Sequence, residues 1–192
     1  HGYTANAFVD YIRKIDWEIF GTTRNPQTAD LLIKKGVKPL MWSDGVKIKS
    51  VINRSDYILH SIPPTEIGDP VYKRFSKAII SRSTNLSWFG YLSTTSVYGN
   101  HDGKWVDENI PVNPSSNRGL LRVKAENNWS CIKDLPLHIF RLAGIYGPNR
   151  SPLDKIRSGK AQLINKPGQF FSRIHVEDIA RVFGLSESQF NS

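Results

Sequence analysis

Gly2 and Ala5 stand three residues apart in Gly2-Tyr3-Thr4-Ala5, directly before a run with helical spacing. Small residues at that interval let a backbone turn approach a pyrophosphate closely, while the helix N-terminus supplies amide hydrogens and a favourable dipole. The pair matches the last two small residues of G-x-x-G-x-x-[GA], and it also suits an ordinary turn. Gly21-Thr22-Thr23-Arg24 closes the next apolar run. An acidic side chain at such a strand end would accept a ribose 2′-hydroxyl, whereas an arginine beside hydroxyls suits a 2′-phosphate. Thr23 and Arg24 therefore favour NADP, with NAD as the alternative; the competing reading is a solvated arginine that opens the next helix. His60 and Ser61, at the end of the run Asp56–His60, complete the candidate cofactor-binding set with Gly2, Tyr3, Thr4 and Ala5.

Other chemistries find little support. The five histidines are scattered, and none pairs with a second ligand at a metal-binding spacing, so no metal site is expected. Cys131, the single cysteine, falls inside a predicted helix and reads as a small buried or half-buried side chain. The net charge of +9 raises nucleic acid as a partner. However, Lys34, Lys35, Lys38, Lys47 and Lys49 are interleaved with apolar residues, as on solvated faces, so no nucleic-acid partner is expected. No apolar run approaches the roughly 20 residues that span a bilayer, which excludes a membrane helix and points to the cytoplasm.

The elements that must position these residues alternate. Helical spacing runs over Ala5–Ile15, Thr28–Lys35, Val46–Asn53, about Pro70–Ser81 and about Ser115–Ile132. Between and after them lie the strand-like runs Trp17–Gly21, Lys38–Met41, Asp56–His60, Trp88–Ser93 and Leu137–Leu142. Strands separated by helices pair in parallel through right-handed crossovers, so the 192 residues read as an α/β, Rossmann-like doubly wound sheet. Ligands in such sheets sit at the carboxyl ends of the strands, here Thr22–Arg24, His60–Pro64, Ser93–Tyr98 and Ala143–Pro148. Residues 1–149 form the expected dinucleotide-binding domain, and 150–192 the start of a substrate-binding segment laid over the sheet edge. That segment holds a short helix near Pro152–Ser158, a Pro167-Gly168 turn and a final helix from Val176. The strand that should feed the Gly2 turn is missing and the last helix has no return strand. The sheet is therefore read as truncated at both ends, and poor stability of the piece alone is expected.

Three segments carry a family resemblance. Leu92-Ser93-Thr94-Thr95-Ser96-Val97-Tyr98-Gly99 resembles S-[ST]-x-x-V-Y-G of extended short-chain dehydrogenase/reductases. Arg141-Leu142-Ala143-Gly144-Ile145-Tyr146-Gly147-Pro148 is similar to their R-x-x-N-V-Y-G-P, and Ile174-His175-Val176-Glu177-Asp178-Ile179-Ala180 to their I-H-V-x-D-[LIV]-A. The resemblance implies relatives among nucleotide-sugar epimerases and dehydratases, and it places Thr94 where a hydroxyl bonds the reacting oxygen of the substrate. It also implies that Tyr98 is a packed aromatic. The family's Y-x-x-x-K, anchored on Glu126, falls on Arg118 and Arg122, and arginine is essentially never deprotonated, so neither can be the usual base. Gly144 likewise replaces the asparagine of the second segment. The combination resembles the atypical members of the group.

Two functions follow from this reading. One is an NAD(P)-dependent epimerase/dehydratase- or reductase-like activity on a sugar-nucleotide or related carbonyl or alcohol. In it Thr94 orients the substrate, Arg118 and Arg122 stabilise an anionic substrate or the cofactor's phosphates, and another group or water transfers the proton, with Tyr98, His101, Asp102 and His175 as the candidate side chains. The other is a non-catalytic NADP-binding regulator or scaffold. The expected partner is a small-molecule substrate, with a homodimer as the assembly to test.

Overall fold

The computed structural model describes residues 1–159, 168 and 170–188. They form α1 (Tyr3–Ile12), β1 (Phe20–Thr23), α2 (Pro26–Lys34), β2 (Lys38–Met41), α3 (Gly45–Ile52), β3 (Tyr57–His60) and α4 (Pro70–Arg82). There follow β4 (Trp88–Thr94), α5 (Asn117–Ser130), β5 (Leu137–Leu142), β6 (Gly144–Tyr146), α6 (Pro152–Arg157), β7 (Arg173–His175) and α7 (Val176–Ser188). Pro167 of the expected Pro167-Gly168 turn lies outside the described residues.

Local sequence sets the helix starts. Asn25 accepts a hydrogen bond from Gln27 N at 2.8 Å ahead of Pro26, and Asp69 accepts from Val71 N and Tyr72 N ahead of Pro70. Each cap satisfies an amide that the helix leaves orphaned, and the proline pre-sets φ for the first turn. Such a cap stabilises by about 1 kcal/mol.

The strands pair in parallel as β1–β2, β3–β4–β5 and β6–β7. β4 is buried from Trp88 to Ser93, as a central strand covered on both faces requires. On one face Phe89 and Tyr91 pack with Phe75 and Ile79 of α4 and with Ala125 and Trp129 of α5. On the other, Leu92 packs with Ile179 and Phe183 of α7 and with Phe8 of α1, the two phenyl rings meeting edge-to-face at 5.4 Å. Thus α7 shares the core beneath the sheet. Each fully buried aromatic contributes about 2–3 kcal/mol by removing apolar area from water.

The β1–β2 pair and the β3–β5 sheet share no strand pairing among the described residues. A slot of about 480 Å³ separates them, walled by Phe20, Gly21, Ile58 and Leu59 and closed from the two faces by Val9 and Phe75 among others. Trp17 stacks on Tyr57 at 4.6 Å across the amino end of the slot, and the His1 ammonium donates to Thr22 O near the other end. The slot stands where a doubly wound sheet would hold the expected first strand.

The structure departs from the sequence reading at β1, at α1 and at Cys131. β1 begins at Phe20 rather than Trp17, because the ladder to β2 opens where Lys38 N donates to Ile19 O, while the Trp17 indole is engaged by Tyr57. α1 ends at Ile12; Ile15 continues the apolar spacing but finds no core and is exposed. Cys131 is not buried or half-buried: it follows the last turn of α5 and is exposed. No helix of the described residues is long and apolar enough to cross a membrane.

Candidate functional site

The carboxyl ends of β1 and β3, at Thr22 and at His60–Ser61, share the slot with His1 and Ala5 at the start of α1. Gly2 is the N-cap residue of α1, with extended backbone and no side-chain cap, and a β-carbon placed on it would meet nothing within 4 Å. By contrast α2, α3, α4, α5 and α6 all carry a side-chain cap. The first-turn amides of α1 are thus left for a ligand or solvent, in space that the protein itself does not fill. Thr4 and Ala5 are buried beneath this turn. Tyr3 is directed elsewhere, its hydroxyl donating to Pro148 O at 2.9 Å while the Arg150 guanidinium lies 5.4 Å from its ring.

At the end of β1 the two candidates separate. Thr23 is buried and its hydroxyl is committed locally, accepting from Asn25 N at 3.1 Å and donating to Asn25 O at 3.2 Å. Arg24 is exposed and pairs with no carboxylate among the described residues. It lies close enough to the His1 ammonium to lower that group's pKa, after the larger effect of burial. Only Arg24 of this pair is therefore available to an anion.

The His60 side chain turns away from the strand ends. It is fully buried and turned into the α4–α5 core, where Nε2 donates to Asp69 Oδ2 at 2.8 Å and the ring meets Tyr91 and Trp129 edge-on. Trp129 Nε1 donates to the same oxygen at 2.8 Å. Burial pushes the Asp69 carboxyl up, but the hydrogen bonds from His60, Trp129 and Tyr72 N and the His60 charge outweigh it, so the carboxyl sits below its usual range. A cofactor could reach His60 only through its backbone. Ser61, half-buried, lines the slot.

Thr94 ends β4 and caps the 3₁₀ turn Thr95–Val97, its Oγ1 accepting from Ser96 N and from Ser96 Oγ, each at 3.3 Å. Among the described residues its own hydroxyl hydrogen has no acceptor, so it can donate to an oxygen outside the strand end.

Behind Thr94 lies a network that the sequence did not reveal. Glu126, 3% exposed, accepts from Ser93 Oγ and pairs with Arg141, whose Nη2 stands 2.9 Å from Oε2; Arg141 Nη1 also donates to Tyr98 OH at 3.0 Å. Tyr98 is accordingly the packed aromatic expected of it. Arg122 is 7% exposed and donates through Nη1 to Leu92 O and to Tyr91 OH, the latter at 3.2 Å. Tyr91 and Arg122 thus imitate a tyrosine–lysine pair in form only. Burial pushes the Tyr91 phenol up to about 12, beyond what the nearby guanidinium recovers, so it cannot exchange a proton near neutrality. The available signal was the spacing of Arg118, Arg122 and Glu126, which places all three on one face of α5. Of the other proton-carrier candidates, His101 Nε2 contacts Tyr98 O at 3.1 Å, Asp102 accepts from Asn100, and His175 Nδ1 accepts from Glu177 N at 3.4 Å.

No family model matches the chain. A conserved protein of unknown function from Silicibacter pomeroyi DSS is 45% identical and superposes with a TM-score of 0.88 over 98% of this chain and 66% of its own. A mutant UDP-glucuronic acid 4-epimerase from Bacillus cereus, solved with NAD and a fluorinated UDP-glucuronic acid, is 17% identical, with a TM-score of 0.76 over 96% of this chain and 70% of its own. The chain shares the fold of solved epimerase/dehydratase structures. Protein YeeZ of Escherichia coli K12 is 34% identical over 89 residues, 46% of this chain. The chain spans 31% of the length of that curated relative and 66% of the Silicibacter structure. Within this epimerase/dehydratase fold the arginines at positions 118 and 122 stand on α5, where the family resemblance expects tyrosine and lysine.

Proposed function

We propose that this chain is the dinucleotide-binding part of an NAD(P)-dependent enzyme acting on a carbonyl or alcohol of the sugar-nucleotide kind, without a tyrosine–lysine proton relay. The carrying observation is the uncapped start of α1, open at Gly2 and set among the strand ends. Amides at that turn would hold the pyrophosphate, and a bound nicotinamide would supply the hydride chemistry. Arg24 would recognise a ribose 2′-phosphate, which favours NADP, whereas the solved epimerase named above binds NAD. Thr94 would donate to the reacting oxygen of a small-molecule substrate. Arg122, buried and always charged, keeps the position beneath it positive without exchanging a proton.

The test is titration of NADP and NAD, followed by the thermal unfolding midpoint, in the chain and in Arg24→Ser. NADP stabilisation, with the preference over NAD falling about tenfold in the variant, supports the reading. Stabilisation by neither dinucleotide refutes it.

A further inference from the structure

A second cleft, of about 480 Å³, opens between the loop after β3 and the first turns of α5, lined by Pro63, Pro64, Glu66, Asn117, Arg118 and Arg122 among others. Arg118 and Arg122 lie one turn apart on α5, a spacing at which like charges repel. Neither pairs with a carboxylate among the described residues. Glu126, one turn further on, is spent on Ser93 and Arg141. Arg122 is therefore a buried guanidinium whose positive charge the protein leaves without a partner carboxylate, at the wall of an open cleft. Burying an uncompensated charge is costly, and an anion arriving from the cleft would offset that cost.

The neighbouring elements add to the positive field. Arg118 occupies the first turn of α5, where the helix dipole is positive. Next to it, Gly119 lies so close to β4's terminal turn that a β-carbon would stand 2.6 Å from Ser96 O, so the start of α5 packs against the Thr94–Val97 turn. Glu66, exposed on the opposite wall, pairs with neither arginine.

We infer that this cleft is an oxyanion subsite in which Arg118 and Arg122 hold a carboxylate or phosphate of the substrate next to its reacting carbon. Resting on the dinucleotide-dependent reading above, it narrows the substrate to a carbonyl or alcohol bearing a nearby anionic group. The arginine fork matches either group bidentately. The positions that would carry proton transfer in a tyrosine–lysine enzyme serve recognition here.

Calorimetric titrations of inorganic phosphate and of malonate into the chain, into Arg118→Gln and into Glu66→Gln, test this. Parallel titrations of NADP and NAD follow the dinucleotide site. Arg118 is exposed, so its replacement leaves the fold in place, whereas the buried Arg122 is left intact. At least one anion should bind the native chain, weaken roughly tenfold in Arg118→Gln and tighten in Glu66→Gln, with dinucleotide affinity unchanged in both variants. Preference between phosphate and malonate identifies which oxyanion the site takes. Binding of neither anion, or binding that Arg118→Gln leaves unaltered, overturns the inference. Dinucleotide binding in that case would show that the broader reading survives, and its loss alongside intact, Arg118-dependent anion binding would leave the subsite standing alone.

Discussion

Arg141 reaches from β5 to Glu126 on α5, Nη2 to Oε2 at 2.9 Å, and so ties the central sheet to the helix that carries the candidate site. The same carboxylate holds Ser93, one residue before Thr94. Removing its charge would leave a half-buried guanidinium and a buried hydroxyl to find other partners. Glu126→Gln should therefore destabilise the chain by about 3 kcal/mol, read from urea unfolding. Pairing it with Arg141→Leu should recover part of the loss, since an unpaired buried charge costs more than a missing pair.

Gly90 makes room for an indole. A β-carbon there would stand 2.1 Å from the Trp88 ring, which is itself 2% exposed between β5 and α7. Gly90→Ala should displace that ring, lower stability by roughly 1–3 kcal/mol and shift the tryptophan fluorescence.

Asp69 couples stability to pH. Its carboxyl is held below the usual range in the folded chain, so its contribution is present above the unfolded value, about 3.9, and is lost as pH falls through the lower folded value. Asp69→Asn should unfold more readily at neutral pH and show a flatter dependence of stability on pH below about 4. Acid titration followed by circular dichroism measures both.

Tyr91 makes the complementary prediction at high pH. Its phenol is pushed up to about 12, so stability tied to the neutral form is complete below the unfolded value near 10 and declines between the two. Tyr91→Phe should abolish the part of the alkaline loss that falls in this window, read as tyrosinate absorbance alongside unfolding.

Thr94 makes the prediction closest to chemistry. Thr94→Val keeps the shape of the strand end but removes the hydroxyl, and once a substrate is in hand turnover should fall about 10²-fold with dinucleotide binding unchanged. It should also loosen the turn that Thr94 caps, so its unfolding midpoint is the necessary control.

Much of the architecture was legible because the signals were local. Lys38–Met41 and Leu137–Leu142 stand where the apolar runs place them, and the helix after Pro70 starts at its proline and capping aspartate. The strand β4 announced itself by continuous apolar character. What escaped was set by distant partners. Gly144–Tyr146 and Arg173–His175 pair over three residues each, too short for any alternation to register. Nothing near His60 in sequence indicates that Asp69 and Trp129 will draw its ring into the core, away from the strand end where ligands gather. The same holds for Arg141 and Glu126, which meet only once β5 lies beside β4. Thr23 escaped for the opposite reason: its hydroxyl is used two residues away, by Asn25, a contact that spacing alone does not separate from a ligand contact.

The slot between β1 and β3 leaves a residue-by-residue signature in the backbone. In a parallel ladder a residue's amide and carbonyl point to the same neighbour, and successive residues alternate sides. Ile19 O and Thr23 O accept from Lys38 N and Trp42 N of the β2 segment, so the backbone groups of Phe20 and Thr22 face the slot. On β3, Asp56 O accepts from Ser87 N and Trp88 N, which turns Tyr57 and Leu59 the same way. Deuterium should therefore enter these two strands in alternation, fast at Phe20, Thr22, Tyr57 and Leu59 and slow at Gly21, Thr23, Ile58 and His60. Whatever comes to occupy the slot would erase that alternation and make both strands exchange as a single protected unit.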